Sequence, residues 1–69
     1  MNFQSVTSST IERVGYDPQS MTMAVEFKNG TIYEYYNVPE TIFAELLVAG
    51  SPGQYLSQHV KRSYRYSRT

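Results

Sequence analysis

The chain has 69 residues, no cysteine, a single histidine and no net charge at pH 7. That length supports one small domain with a modest core and leaves no room for a deep catalytic cleft. Without cysteine there is no disulfide and no thiolate metal site, which suits a reducing cytosol. No apolar run approaches the roughly 20 residues that span a bilayer, and Met1–Ser9 lacks both the basic start and the apolar stretch of a signal peptide. The expectation is a soluble cytoplasmic protein that does not engage a membrane. Charge is unevenly spread: every acidic residue lies at or before Glu45, while Lys61, Arg62, Arg65 and Arg68 crowd the end.

In chain order, residues 1–10 carry Ser5, Thr7, Ser8, Ser9 and Thr10, show no helical period and read as an extended lead-in with Val6 as its anchor. Ile11 to Asp17 is a strand candidate, and Asp17-Pro18-Gln19-Ser20 supplies a turn because proline presets φ and Asp and Ser side chains bond nearby backbone groups. Met21 to Phe27 alternates Met21, Met23, Val25 and Phe27 against Thr22, Ala24 and Glu26, the clearest period-two pattern in the chain. A third strand follows from Thr31 to Tyr36.

The connection Lys28-Asn29-Gly30 decides which face the tyrosines take. A two-residue type I′ turn at Asn29-Gly30 sets Val25 opposite Glu34 and pushes a carboxylate onto the apolar face. A three-residue loop closed by a left-handed Gly30 pairs Phe27 with Thr31, Val25 with Tyr33 and Met23 with Tyr35. Because a buried unpaired carboxylate costs on the order of several kcal/mol, the second register is expected. It places Tyr33 and Tyr35 on the core side and Ile32, Glu34 and Tyr36 on the other.

Pro39 suits the first turn of a helix and Glu40 adds favourable negative charge there. Ile42, Phe43, Leu46, Leu47 and Ala49 then form a helical stripe that Gly50 ends. Ser51-Pro52-Gly53-Gln54 has the layout of a capping box. It predicts a second helix with Leu56 and Val60 facing the sheet and Lys61 and Arg62 near its end. The fold class is therefore α+β: an antiparallel three-stranded β-meander followed by two α-helices packed on one face. Residues 11–62 make the domain, and residues 63–69 a basic tyrosine-bearing tail.

These pieces, taken together, resemble the KTSC domain, a short bacterial and phage module also found at the C-terminus of some lysyl-tRNA synthetases. The resemblance rests on Ser8-Ser9, Val14-Gly15-Tyr16-Asp17, Val25-Glu26-Phe27 with Gly30 beyond, Tyr33-Glu34-Tyr35, Val38-Pro39 and Ser51-Pro52-Gly53-Gln54-Tyr55. It runs from about residue 6 to residue 66 and implies RNA binding, a function suggested for the family through the synthetase association, with no catalytic set and no cofactor. Ser57 and His59 stand where the family pattern favours asparagine, and the tail holds more arginine than that pattern.

Read as chemistry, Lys61-Arg62-Ser63-Tyr64-Arg65-Tyr66-Ser67-Arg68 alternates cations with aromatic rings, the requirement for neutralising phosphates while stacking bases. Tyr55, Lys61, Arg62, Tyr64, Arg65, Tyr66 and Arg68 are thus the candidate binding residues, set against a solvated basic tail. Ile32 and Tyr36 mark a candidate interaction face. Tyr33, Tyr35, Val25, Phe27, Phe43, Leu47 and Leu56 are assigned to the core. His59 has no carboxylate spaced to orient it, so neither catalysis nor metal binding is expected. Gly50-Ser51-Pro52-Gly53 lacks a phosphate-loop lysine and reads as a helix–helix turn whose amides are of a kind that holds an anion. The leading expectation is a noncatalytic module binding RNA or another single-stranded nucleic acid through the C-terminal surface. The alternatives are a homo-oligomer that sequesters a small nucleotide ligand between subunits, and a protein-interaction adaptor using the open sheet face.

Overall fold

A computed structural model describes all residues from Met1 to Thr69. In chain order the elements are β1 (Asn2–Ser5), β2 (Ile11–Asp17), β3 (Thr22–Phe27), β4 (Ile32–Tyr35), α1 (Glu40–Val48), α2 (Pro52–His59) and β5 (Tyr66–Arg68). All strands are antiparallel neighbours in the sheet order β1-β2-β3-β4-β5. The α+β class holds, but the sheet has five strands where three were expected. Asn2–Ser5 adds to the free edge of β2 and Tyr66–Arg68 to the free edge of β4. Almost every residue of these two strands is exposed, so no buried face imposes a period-two pattern, and their pairing is carried by backbone groups.

The three-residue connection between β3 and β4 is present. Phe27 N–H donates to the Thr31 carbonyl at 2.8 Å and Gly30 N–H to the Phe27 carbonyl at 2.9 Å. Gly30 takes φ 92°, and the ladder pairs Met23 with Tyr35 and Val25 with Tyr33. The Asn29 carboxamide oxygen closes the loop by accepting from the Thr31 hydroxyl at 2.7 Å and the Thr31 N–H at 3.1 Å. At the other end of β3, Met21 is not part of the strand. It sits in the turn at φ 54°, 40% exposed, and its carbonyl accepts the Val38 N–H at 2.9 Å. β2 carries an irregularity between Ile11 and Arg13, which lets Ile11 and Val14 both face the core although they are not an even number of residues apart.

The core consists of Ile11, Val14, Met23, Val25, Tyr35, Val38, Leu46, Leu56 and Val60. Of α1 only Leu46 is fully buried; Ile42, Phe43 and Leu47 are half-buried and pack against that cluster. Phe43 stacks on Tyr16 with ring centroids 5.3 Å apart, and the Tyr16 hydroxyl donates to the Val38 carbonyl at 2.5 Å, tying β2 to the start of α1. α2 starts as its sequence predicts, with the Ser51 hydroxyl accepting the Gln54 N–H at 3.4 Å and Pro52 in the first turn. It ends earlier than expected. His59 is its last residue, and Lys61 and Arg62 lie in the following turn, where Lys61 N–H reaches back to the Leu56 carbonyl at 3.0 Å. No helix is long and apolar enough to cross a membrane.

Candidate nucleic-acid interface

The path of β5 determines the site. Pairing against β4, it sets Tyr66 opposite Tyr35 and Arg68 opposite Tyr33, so these four side chains share the sheet face that also carries the helices. β5 is locked by Tyr36 N–H donating to the Arg65 carbonyl at 2.9 Å and Thr69 N–H donating to the Ile32 carbonyl at 2.8 Å. The helices cover Tyr35, which is 2% exposed, but leave Tyr66 at 56%.

What results is an open aromatic groove of about 380 Å³ bounded by Phe27, Tyr33, Tyr35 and Tyr66, with Asn29, Thr31 and Lys61 completing its wall. Tyr66 lies 5.5 Å from Tyr33 and 5.7 Å from Tyr35 between centroids, and Phe27 meets Tyr33 edge-on at 5.6 Å and 84°. Such offset and edge-to-face contacts are the favoured arrangements of aromatic quadrupoles. The Lys61 ammonium stands 5.7 Å from the centre of the Phe27 ring. Burial, with the neighbouring Tyr33 and Tyr66 hydroxyls adding to it, pushes the Tyr35 hydroxyl up to about 12, so the phenol is neutral at physiological pH.

Beside the groove lies a polar cleft of about 1020 Å³ between the Thr7–Thr10 loop and the Gly50–Gln54 turn. The loop is organised by Ser8, whose hydroxyl accepts the N–H groups of Thr10 and Ile11, each at 3.1 Å. The turn comes so close to it that a Cβ placed on Gly53 would lie 2.8 Å from the Thr10 hydroxyl oxygen. Lys28 and Lys61 both line the cleft, and Phe27, Asn29 and Lys61 are common to cleft and groove. The chain has six carboxylate side chains, and none of them lines either depression.

Of the residues singled out from the sequence, Lys61 and Tyr66 line the groove, Arg68 lies opposite Tyr33 on the same sheet face without lining either depression, and Tyr55, Arg62, Tyr64 and Arg65 also lie outside both. Tyr55 is engaged at the helix junction. Its hydroxyl donates to Glu45 Oε1 at 2.6 Å, its ring packs on His59 at 4.5 Å, and burial together with the Glu45 hydrogen bond pushes it up to about 12. Tyr64 is half-buried against the core. Ile32 and Tyr36 are half-buried, and the Tyr36 hydroxyl donates to Glu34 Oε1 at 3.4 Å. The same outer face carries Arg13, which pairs with Glu26 and lies 4.4 Å over the Phe3 ring. No group of three or more His, Asp or Glu side chains converges as a metal site. Val25 and Leu56 are buried, and Phe43 and Leu47 pack on the core half-exposed. Phe27, Tyr33 and Tyr35, assigned to the core alone, also wall the groove; the register argument placed them on the correct face, but without β5 nothing revealed that the face has an open end.

The sequence pattern of the KTSC domain matches residues 7–64, and the chain belongs to that family. A KTSC domain protein from Yersinia pestis, solved by crystallography, superposes with a TM-score of 0.91 at 29% identity, covering 99% of this chain and 96% of that one. A protein of Tsukamurella paurometabola is 44% identical over 62 residues, 90% of this chain and 92% of its own length. The lysine–tRNA ligase of Nostoc sp. is 41% identical over 58 residues, 84% of this chain but 10% of the ligase, so the likeness concerns one module of a much longer enzyme.

Proposed function

We propose that this KTSC domain is a noncatalytic cytoplasmic module that binds RNA, or another single strand of nucleic acid, in the groove between β4, β5 and the turn after α2. The observation that carries this reading is the exposed Tyr66 ring beside Tyr33 and Tyr35, with Lys61 and Arg68 at hand and no carboxylate lining the groove. A base stacked on such rings gains about 1 to 3 kcal/mol without regard to its identity, and the cations meet the phosphates. The groove is built within one chain, so this function needs no second copy. The presence of a similar module in a lysine–tRNA ligase, a protein named for acting on an RNA, agrees with it.

The test is a titration of a fluorescently labelled unstructured RNA across a range of salt concentrations. The reading predicts an affinity that falls steeply with salt, by a log–log slope of about 0.7 per phosphate contact on a single strand. Salt-independent binding, or none, overturns it.

A further inference from the structure

The aromatic groove accounts for Tyr66 and Lys61 but leaves the larger depression unused. The cleft beside it is lined chiefly by hydroxyl and amide side chains, among them Thr7, Ser9, Ser57 and Gln54, together with the ammonium groups of Lys28 and Lys61. A cleft of this composition, with cations and no carboxylate, complements a chain of anionic groups separated by polar sugars. Its continuity with the groove through Phe27, Asn29 and Lys61 sets the geometry of what can occupy both. A single nucleotide with its base on Tyr66 and its phosphate at Lys61 fills only the groove. Lys28 lines the cleft and not the groove.

We propose that the sugar–phosphate backbone of the bound strand leaves the aromatic groove at Lys61 and runs through this cleft, with Lys28 as its next phosphate contact. The proposal rests on the single-strand reading and extends it. It makes the β3–β4 connection, and not the arginines of the chain end alone, part of the recognition surface, and it makes the minimal ligand longer than one nucleotide.

The experiment compares the wild-type chain with Lys28→Ala, Ser57→Glu, Arg62→Ala and Tyr66→Ala, titrating an unstructured RNA oligomer at several salt concentrations and, separately, a nucleoside monophosphate. Lys28 and Ser57 are exposed, so their variants are expected to melt with the wild type. Lys28→Ala is predicted to reduce the salt slope for the oligomer by about 0.7, the loss of one phosphate contact. Ser57→Glu, which puts a carboxylate into the cleft, is predicted to weaken oligomer binding severalfold. Lys28→Ala leaves binding of the monophosphate unchanged, and Arg62→Ala, outside both depressions, leaves the oligomer slope unchanged. If Tyr66→Ala weakens the oligomer while Lys28→Ala and Ser57→Glu bind it as the wild type does, the groove stands and the path through the cleft is wrong. If the wild-type chain binds no oligomer, both readings fall.

Discussion

Tyr66 stacks on Tyr33 with ring centroids 5.5 Å apart and planes inclined at 24°, although more than thirty positions separate the two in the chain. The contact exists because β5 returns to the free edge of β4 after both helices have been laid on the sheet. Replacing Tyr66 with alanine is predicted to weaken binding of single-stranded RNA by about 1 to 3 kcal/mol, roughly 5- to 150-fold. Tyr66→Phe keeps the ring and is predicted to retain most of the affinity. Fluorescence anisotropy on the two variants, with their melting curves as controls, separates stacking from loss of β5.

Tyrosine ionisation gives the fold an alkaline limit. Tyr35 ionises at about 12 in the folded chain against 10.0 for a free tyrosine, chiefly because it is buried, and burial also raises Tyr16. A raised value means the folded state holds the proton more tightly than the unfolded state does. The contribution of Tyr35 is therefore complete below pH 10 and is lost as pH climbs toward 12. Denaturant midpoints measured across that window should fall for the wild type and fall less steeply for Tyr35→Phe.

Gly30 tests the register that decides the tyrosine faces. It stands at φ 92° with nothing within 4 Å of where a Cβ would be, so alanine there meets backbone strain and no clash. Gly30→Ala is predicted to cost about 1 kcal/mol, read as a lower midpoint in urea with an unchanged slope.

Much of the fold could be read from the residues because side-chain patterning specified it. The alternation from Met23 to Phe27, the cost of burying Glu34 and the Ser51-Pro52 cap each had one low-energy solution, and the structure adopts it. β1 and β5 were hidden because they pair through backbone groups and bury almost no side chain. The site was half legible for the same reason. Lys61, Tyr66 and Arg68 stood out as cations among aromatics, but their convergence on Tyr33 and Tyr35 depends on β5 pairing, and the role argued for Lys28 depends on the cleft that the Thr7–Thr10 loop and the Gly50–Gln54 turn enclose.

Tyr16 ties the sheet to α1 through its hydroxyl, which donates to the carbonyl of the fully buried Val38 at 2.5 Å. Tyr16→Phe preserves the stack on Phe43 and leaves that carbonyl without this donor. The predicted loss is about 1 to 3 kcal/mol of stability, with RNA binding unaffected at temperatures where the variant is folded. Chemical denaturation followed by a binding titration checks both halves.

The most direct test of the account is to map amide chemical-shift changes while an unstructured RNA oligomer is titrated into the labelled domain. The account predicts that perturbations cluster on Phe27, Tyr33, Tyr35, Lys61, Tyr66 and Arg68 and spare Ile32, Tyr36 and Tyr55. Perturbations centred on the outer sheet face or on the junction of the two helices, with the groove unmoved, would contradict it.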